Sequence, residues 1–207
     1  MEGRVRPTLY LALLLVLLSA EPAFAHHAMG NQTPATFAQG LLSGLGHPII
    51  GLDHLTALIA VGSLAALKPR GIWLALAFVV TMVFGAALHA RELAFPASEI
   101  LAALSVVALG ALLASMRRLS VVSVLALFAA AGFVHGYALA ESIVRAEPAP
   151  LYAYFAGLVI VQSVLALGTM LVVRKVTIAS SKIAALRLIG AGIAGIGIAI
   201  LTQQIAA

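Results

Sequence analysis

Six apolar segments, at about 36–67, 71–90, 97–115, 119–142, 150–173 and 183–203, follow one another with only short polar joints between them. A membrane-crossing helix needs about 20 predominantly apolar residues, so this pattern predicts an all-α chain, a polytopic bundle of six transmembrane helices. Composition agrees: 63% of the residues are apolar and 9% charged, against about 25% charged in soluble domains. One bundle accounts for residues 26–207.

Residues 1–25 read differently. Arg4 and Arg6 precede an apolar run from Leu9 to Leu18, and Ala23-Phe24-Ala25 forms a small-x-small site, the pattern of a cleaved signal peptide. Cleavage after Ala25 would make His26-His27 the new amino terminus. A free α-amine, two imidazoles and the amide between them form a nitrogen-rich chelate suited to divalent nickel or copper.

The joints fix an expected orientation. Lys68 and Arg70, then Arg117 and Arg118, then Arg174, Lys175, Lys182 and Arg187 occupy alternate joints, whereas the other two hold only Arg91 and Arg145, each beside an acid. Eight basic residues against two is a positive-inside signal, which puts the basic joints in the cytoplasm and both mature termini outside. The chain is thus expected in a bacterial inner membrane. The basic excess, twelve Lys plus Arg against seven acids, contains no run longer than two, so topology explains it and nucleic acid is not an expected partner. The lipid bilayer is, and a homo-oligomer is compatible with the sequence.

Without cysteine, disulfides, thiolate metal sites and cysteine nucleophiles are excluded. The five methionines are scattered, which argues against a thioether copper site. A metal site here must use nitrogen and oxygen. Past residue 25 the acids are Asp53, Glu92, Glu99, Glu141 and Glu147, and the histidines 26, 27, 47, 54, 89 and 135; none falls in a basic joint. A surface with carboxylates and imidazoles at one end and only Lys and Arg at the other attracts divalent cations to the first end. Glu92 and Glu147 are expected to pair with Arg91 and Arg145.

The densest cluster is HPIIGLDH, residues 47–54. Asp53 falls near the middle of the first segment, where an ionised side chain costs about 3 kcal/mol or more unless paired or hydrated. His54 is adjacent, and His47 lies two turns away, about 10 Å along a regular helix. Pro48 removes an amide donor, and Gly44, Gly46 and Gly51 relieve the backbone, so a kink or partial unwinding is predicted around 46–51. That would shorten the gap and allow an ion site. His135 with Gly136, and Glu141 six positions later on a face about 120° away, are further candidates in the outer half of the fourth helix. Glu99 opens the third as an entrance ligand. His89 and Gln162 are weaker and not expected to be ligands. Gly190, Gly192, Gly195 and Gly197 in the last segment read as helix packing.

These residues carry a resemblance. HPIIGLDHLTALIAVG resembles the signature HPxxGxDHxLAMxxVG of the HupE/UreJ family of nickel and cobalt permeases, and the resemblance extends over the mature chain. By position it implicates His47, Asp53 and His54; PASEILAALS implicates Glu99, and FVHGYALAE, similar to the element HGxAHGxE, implicates His135 and Glu141. Thr56 and Leu58 stand where the family often has Leu and Met, Leu139 replaces the second histidine, and Glu141 comes one residue early. The resemblance implies a non-enzymatic importer with no resident cofactor, whose substrate is Ni2+ or Co2+ and whose downstream user is a metalloenzyme maturation system for hydrogenase or urease. His26, His27 and Glu99 would gather the ion, and His47, Asp53, His54 and His135 would hold it near mid-membrane. The membrane potential, about 2.3 kcal/mol per charge per 100 mV, favours entry, and the chain holds no GxxxxGK[ST] motif. The alternative from another class is an intramembrane zinc-dependent hydrolase, with the same residues activating water. A third is a structural subunit whose polar groups serve only helix packing.

Overall fold

The computed structural model describes residues 33–179 and 183–206. The expected signal peptide, His26 and His27 lie outside them. Among the described residues there are seven α-helices: α1 (Phe37–Ile50), α2 (Leu52–Ala66), α3 (Gly71–Ala90), α4 (Ser98–Ser115), α5 (Val121–Leu139), α6 (Pro148–Ala179) and α7 (Ile183–Ala206). A 3-10 turn, Ala140–Ile143, extends α5. The five helices α3–α7 are each long and apolar enough to cross a membrane.

The first predicted segment is not one helix. It breaks at Gly51 and bends by 75° into α1 and α2, each too short to cross alone. A capping box starts α1: the Thr36 hydroxyl accepts from the Gln39 amide, and the Gln39 side chain accepts from the Thr36 amide. Pro48 lies in its last turn, where the missing amide donor weakens the helix. The packing on α6 shows that the pair makes one complete crossing. Gly40 lies against the Pro150 carbonyl, Gly44 against that of Tyr154, Gly62 against that of Ala166, and the Lys68 carbonyl accepts from Arg174 Nη2 at 3.3 Å. The first span thus runs parallel to α6 from Pro150 to Arg174, about 36 Å of helix, more than the hydrocarbon core of about 30 Å. Between Gly44 and Gly62 the chain spends eighteen residues where α6 spends twelve. The surplus is the bend, which pushes Ile49, Ile50 and Leu52 outward and returns Asp53 and His54 to the interior. With this broken span the described residues make six crossings.

The other spans pair through close backbone approach. Helices α3 and α5 run parallel, with Gly132 against the Phe78 carbonyl and Gly136 against that of Met82. The approach that Gly136 permits is therefore to a helix. Helices α4 and α7 run antiparallel, Gly110 against Ala194 and Gly190 against Ala114. Gly197 packs on Val107, whereas Gly192 and Gly195 meet nothing within 4 Å among the described residues, so only part of the glycine-rich segment serves packing among them. Leu58, Phe78, Met82, Leu109, Leu113, Phe128 and Met170, all buried, form the common core.

The joints sort by charge as the alternation requires. At one end Lys68 Nζ donates to the Leu119 carbonyl at 2.6 Å and Arg187 Nε to that of Ala114 at 3.1 Å. Arg174 and Lys175, expected in a joint, belong instead to α6, which continues in helical form past its apolar stretch. At the opposite end Glu92 bonds Arg145 Nε at 3.0 Å, not its neighbour Arg91, and Glu147 is not Arg145's partner there. Both Glu92 and Arg145 have left-handed backbone (φ 58° and 64°), which turns each off its own helix end and toward the other. The Arg145 guanidinium holds the Glu92 carboxyl below the usual carboxylate range, so the pair persists at neutral pH and its contribution fades as pH falls from that range to the lower value of the folded state.

Replacing Gly136 by alanine, whose methyl collides with the Met82 carbonyl, is expected to lower the Tm in detergent by about 5 °C or more. The same change at Gly192 should leave it unchanged or raise it. A thermal-shift comparison checks both.

Candidate metal centre

The break at Gly51 and the C-terminal third of α5 build one buried polar cluster. His54 opens the first turn of α2 beside Asp53, with Nε2 3.5 Å from Asp53 Oδ2. His54 Nδ1 lies 2.8 Å from His135 Nδ1 of α5. One ligand atom from each of Asp53, His54 and His135 falls within 4.8 Å of the others. Donors around one first-row ion, at about 2.1 Å from it, stand about 3 Å apart, so a small contraction would close this set on a cation. His47 lies one step away, its ring 6.1 Å from that of His54, instead of the roughly 10 Å of a regular helix. Gly51 is required for space: a Cβ there would stand 2.7 Å from His54 Cδ2 and 3.1 Å from Asp53 Oδ1.

Two hydroxyls orient the outlying imidazoles. The Tyr154 hydroxyl donates to the Leu139 carbonyl and so accepts from His47 Nδ1–H at 3.1 Å, which leaves the His47 lone pair on Nε2. Ser105 donates to the Ala102 carbonyl at 2.8 Å and accepts from His135 Nε2–H at 2.9 Å. His135 Nδ1 therefore carries a lone pair and faces His54. Neutral His54 has one ring proton. On Nδ1 it satisfies His135 and turns a lone pair toward the Asp53 carboxylate; on Nε2 it meets Asp53 and sets two Nδ1 lone pairs face to face. One proton cannot serve both edges; a second proton, or a cation between the two Nδ1 lone pairs with the ring proton left on Nε2 for Asp53, satisfies both. This is how outer partners fix ligand tautomers at metal sites.

The remaining candidates lie apart. Glu99 and Glu141 are exposed and do not reach the cluster. His89 donates from Nδ1 to the Tyr137 carbonyl at 2.6 Å and stacks on the Tyr137 ring at 4.1 Å. Tyr137 OH in turn donates to the Leu93 carbonyl and accepts from the Phe95 amide, so His89 fastens the joint after α3. Sequence reading passed over Ser105 and Tyr154. Their signal was polarity within otherwise apolar spans, where a polar side chain must find a partner; nothing in their spacing named that partner.

The family model described as "HupE / UreJ protein" matches residues 13–200. The chain belongs to the HupE/UreJ family. Protein HupE of Rhizobium leguminosarum bv. viciae is 38% identical over 128 residues, 58% of this chain and 63% of that protein, so the matched region is less than two thirds of the relative's length. No solved structure matches. In the HupE/UreJ register, the position after Glu141 is Ser142. Its hydroxyl is buried 3.4 Å from His47 Nδ1, whereas Glu141 is turned to the surface by the 3-10 turn. The acid one residue early thus leaves a neutral hydroxyl facing His47.

Ser105→Ala is expected to weaken nickel binding about tenfold by releasing the His135 ring, and Gly51→Ala to weaken it at least as much by displacing His54. Calorimetric titration of the purified protein reads both. A Ser105→Ala protein that binds like the wild type contradicts the assigned role of the hydroxyl.

Proposed function

We propose that this chain imports a divalent transition metal ion, nickel first and cobalt next, across the bacterial inner membrane. HupE/UreJ is a transporter family and not one of enzymes. The observation that carries the reading is the meeting of Asp53, His54 and His135 at the break of a span that crosses the whole bundle. Unwound backbone and convergent ionisable groups inside a membrane mark an ion site.

In this reading the basic end is cytoplasmic, and the mature termini are periplasmic after removal of residues 1–25. Glu99, Glu141 and the His26-His27 terminus collect cations at the outer face by charge and weak ligation. The ion then sheds part of its water to His47, Asp53, His54 and His135. One carboxylate and neutral imidazoles leave positive charge on the bound ion, so the inside-negative potential drives it onward. The metal is substrate, and the hydrogenase or urease maturation machinery is its user.

Vesicles holding the wild type should accumulate radiolabelled nickel, cobalt should compete, and Asp53→Asn and His54→Ala should fall to background at matched expression. Ligand histidines bind metal only when neutral, so uptake should decline as the outside is acidified near or below a pH of about 6. Wild-type vesicles at background, or an Asp53→Asn protein with full uptake, sink the proposal. Metal that stays bound through turnover while a lipid or amide is cleaved favours the zinc hydrolase instead.

A further inference from the structure

The cluster lies in the outer part of the bundle. Tyr154, bonded to His47, is six residues into α6, and from it to Arg174 a further 30 Å or so of helix remains before the basic end. The buried face of α6 along that stretch is Leu158, Val161, Gln162, Ala166, Met170 and Val173. It is apolar except for Gln162.

Gln162 is fully buried, and neither its Oε1 nor its Nε2 has a hydrogen-bond partner among the described residues. A carboxamide that serves helix packing in a membrane bonds across to another helix; this one does not. Leaving both its polar atoms unmet in a low-dielectric interior is unfavourable, so the carboxamide calls for a partner that the described residues do not supply. Its height is set by packing. Helices α2 and α6 run parallel and Gly62 sits on Ala166, so Gln162, one turn before Ala166, stands at the level of Leu58, one turn inward of His54. Thr56, the other buried polar group just inside the cluster, spends its hydroxyl on the Leu52 and Asp53 carbonyls of its own helix.

Resting on the importer reading above, we infer that Gln162 is the next station for the ion inward of Asp53, His54 and His135, its Oε1 taking the cation together with part of its water shell. The chemistry suits an exit ligand. An amide oxygen binds a divalent cation more weakly than imidazole or carboxylate and adds no charge to hold it, and conduction requires each site to bind well enough to admit an ion and weakly enough to release it. Nε2 of the same amide can donate to a water of that shell.

The test combines nickel uptake into vesicles with equilibrium nickel binding to the purified full-length protein. Gln162→Leu removes the oxygen and also an unmet buried polar group, so it should fold. It should bind nickel within about threefold of wild type while uptake falls about tenfold or more. Gln162→Glu places a charged oxygen there, and nickel should dissociate about tenfold more slowly than from wild type. Wild-type uptake by Gln162→Leu means the amide meets only a structural water, and overturns the inference while leaving the importer intact. Loss of binding together with uptake places Gln162 in support of the cluster and also overturns it, as does unchanged dissociation from Gln162→Glu. Failure of the wild type to bind or carry nickel is the separate result that removes the importer reading itself.

Discussion

A carboxylate inside a bilayer persists only where the protein surrounds it with counter-groups or water, and the placement of Asp53 imposes that condition on everything near it. The break at Gly51 meets it. The bend absorbs the surplus length of the first span, sets Asp53 and His54 at the start of a new helix, and folds His47 back to within 6.1 Å of His54 between ring centres. Backbone irregularity at this depth is tolerated because α5 and α6 enclose it. Pro48 and Gly51 thus supply the geometry, and the ionisable residues the reason to keep it.

The scaffold holds the break still. Three close helix pairs, the broken span with α6, α3 with α5 and α4 with α7, use glycines to bring backbones together, and each pair sends a side chain to the cluster or to its support. The broken span gives His47, Asp53 and His54, with α6 giving Tyr154; α5 gives His135; α4 gives Ser105. Both hydroxyls are spent on backbone carbonyls, so each can only accept from its histidine. Together they leave lone pairs on His47 and His135, the state in which imidazole binds a metal.

Much of this was legible in the sequence, for identifiable reasons. Span number followed from apolar length, the sorting of joints from Lys and Arg, and the break near 46–51 from the backbone chemistry of proline and glycine. The meeting of His54 with His135, 81 positions apart, was not legible from spacing, because it depends on which helices neighbour one another. The partner of Glu92 was misjudged for the same reason: sequence adjacency favoured Arg91, and left-handed turns carried it to Arg145. Glu141 was a candidate through its place in FVHGYALAE, on a face about 120° from His135; the 3-10 turn directs it outward and brings Ser142 in. Helix α6 outran its apolar stretch because Arg174 and Lys175 are good helix formers whose charges sit beyond the core.

X-ray absorption at the nickel edge on the loaded, purified protein addresses the central claim most directly. The account predicts a shell of nitrogen and oxygen donors with the outer scattering of at least two imidazoles, reduced by one imidazole in His135→Ala. A shell of water oxygens alone, a sulfur contribution, or a spectrum unchanged by His135→Ala would contradict it.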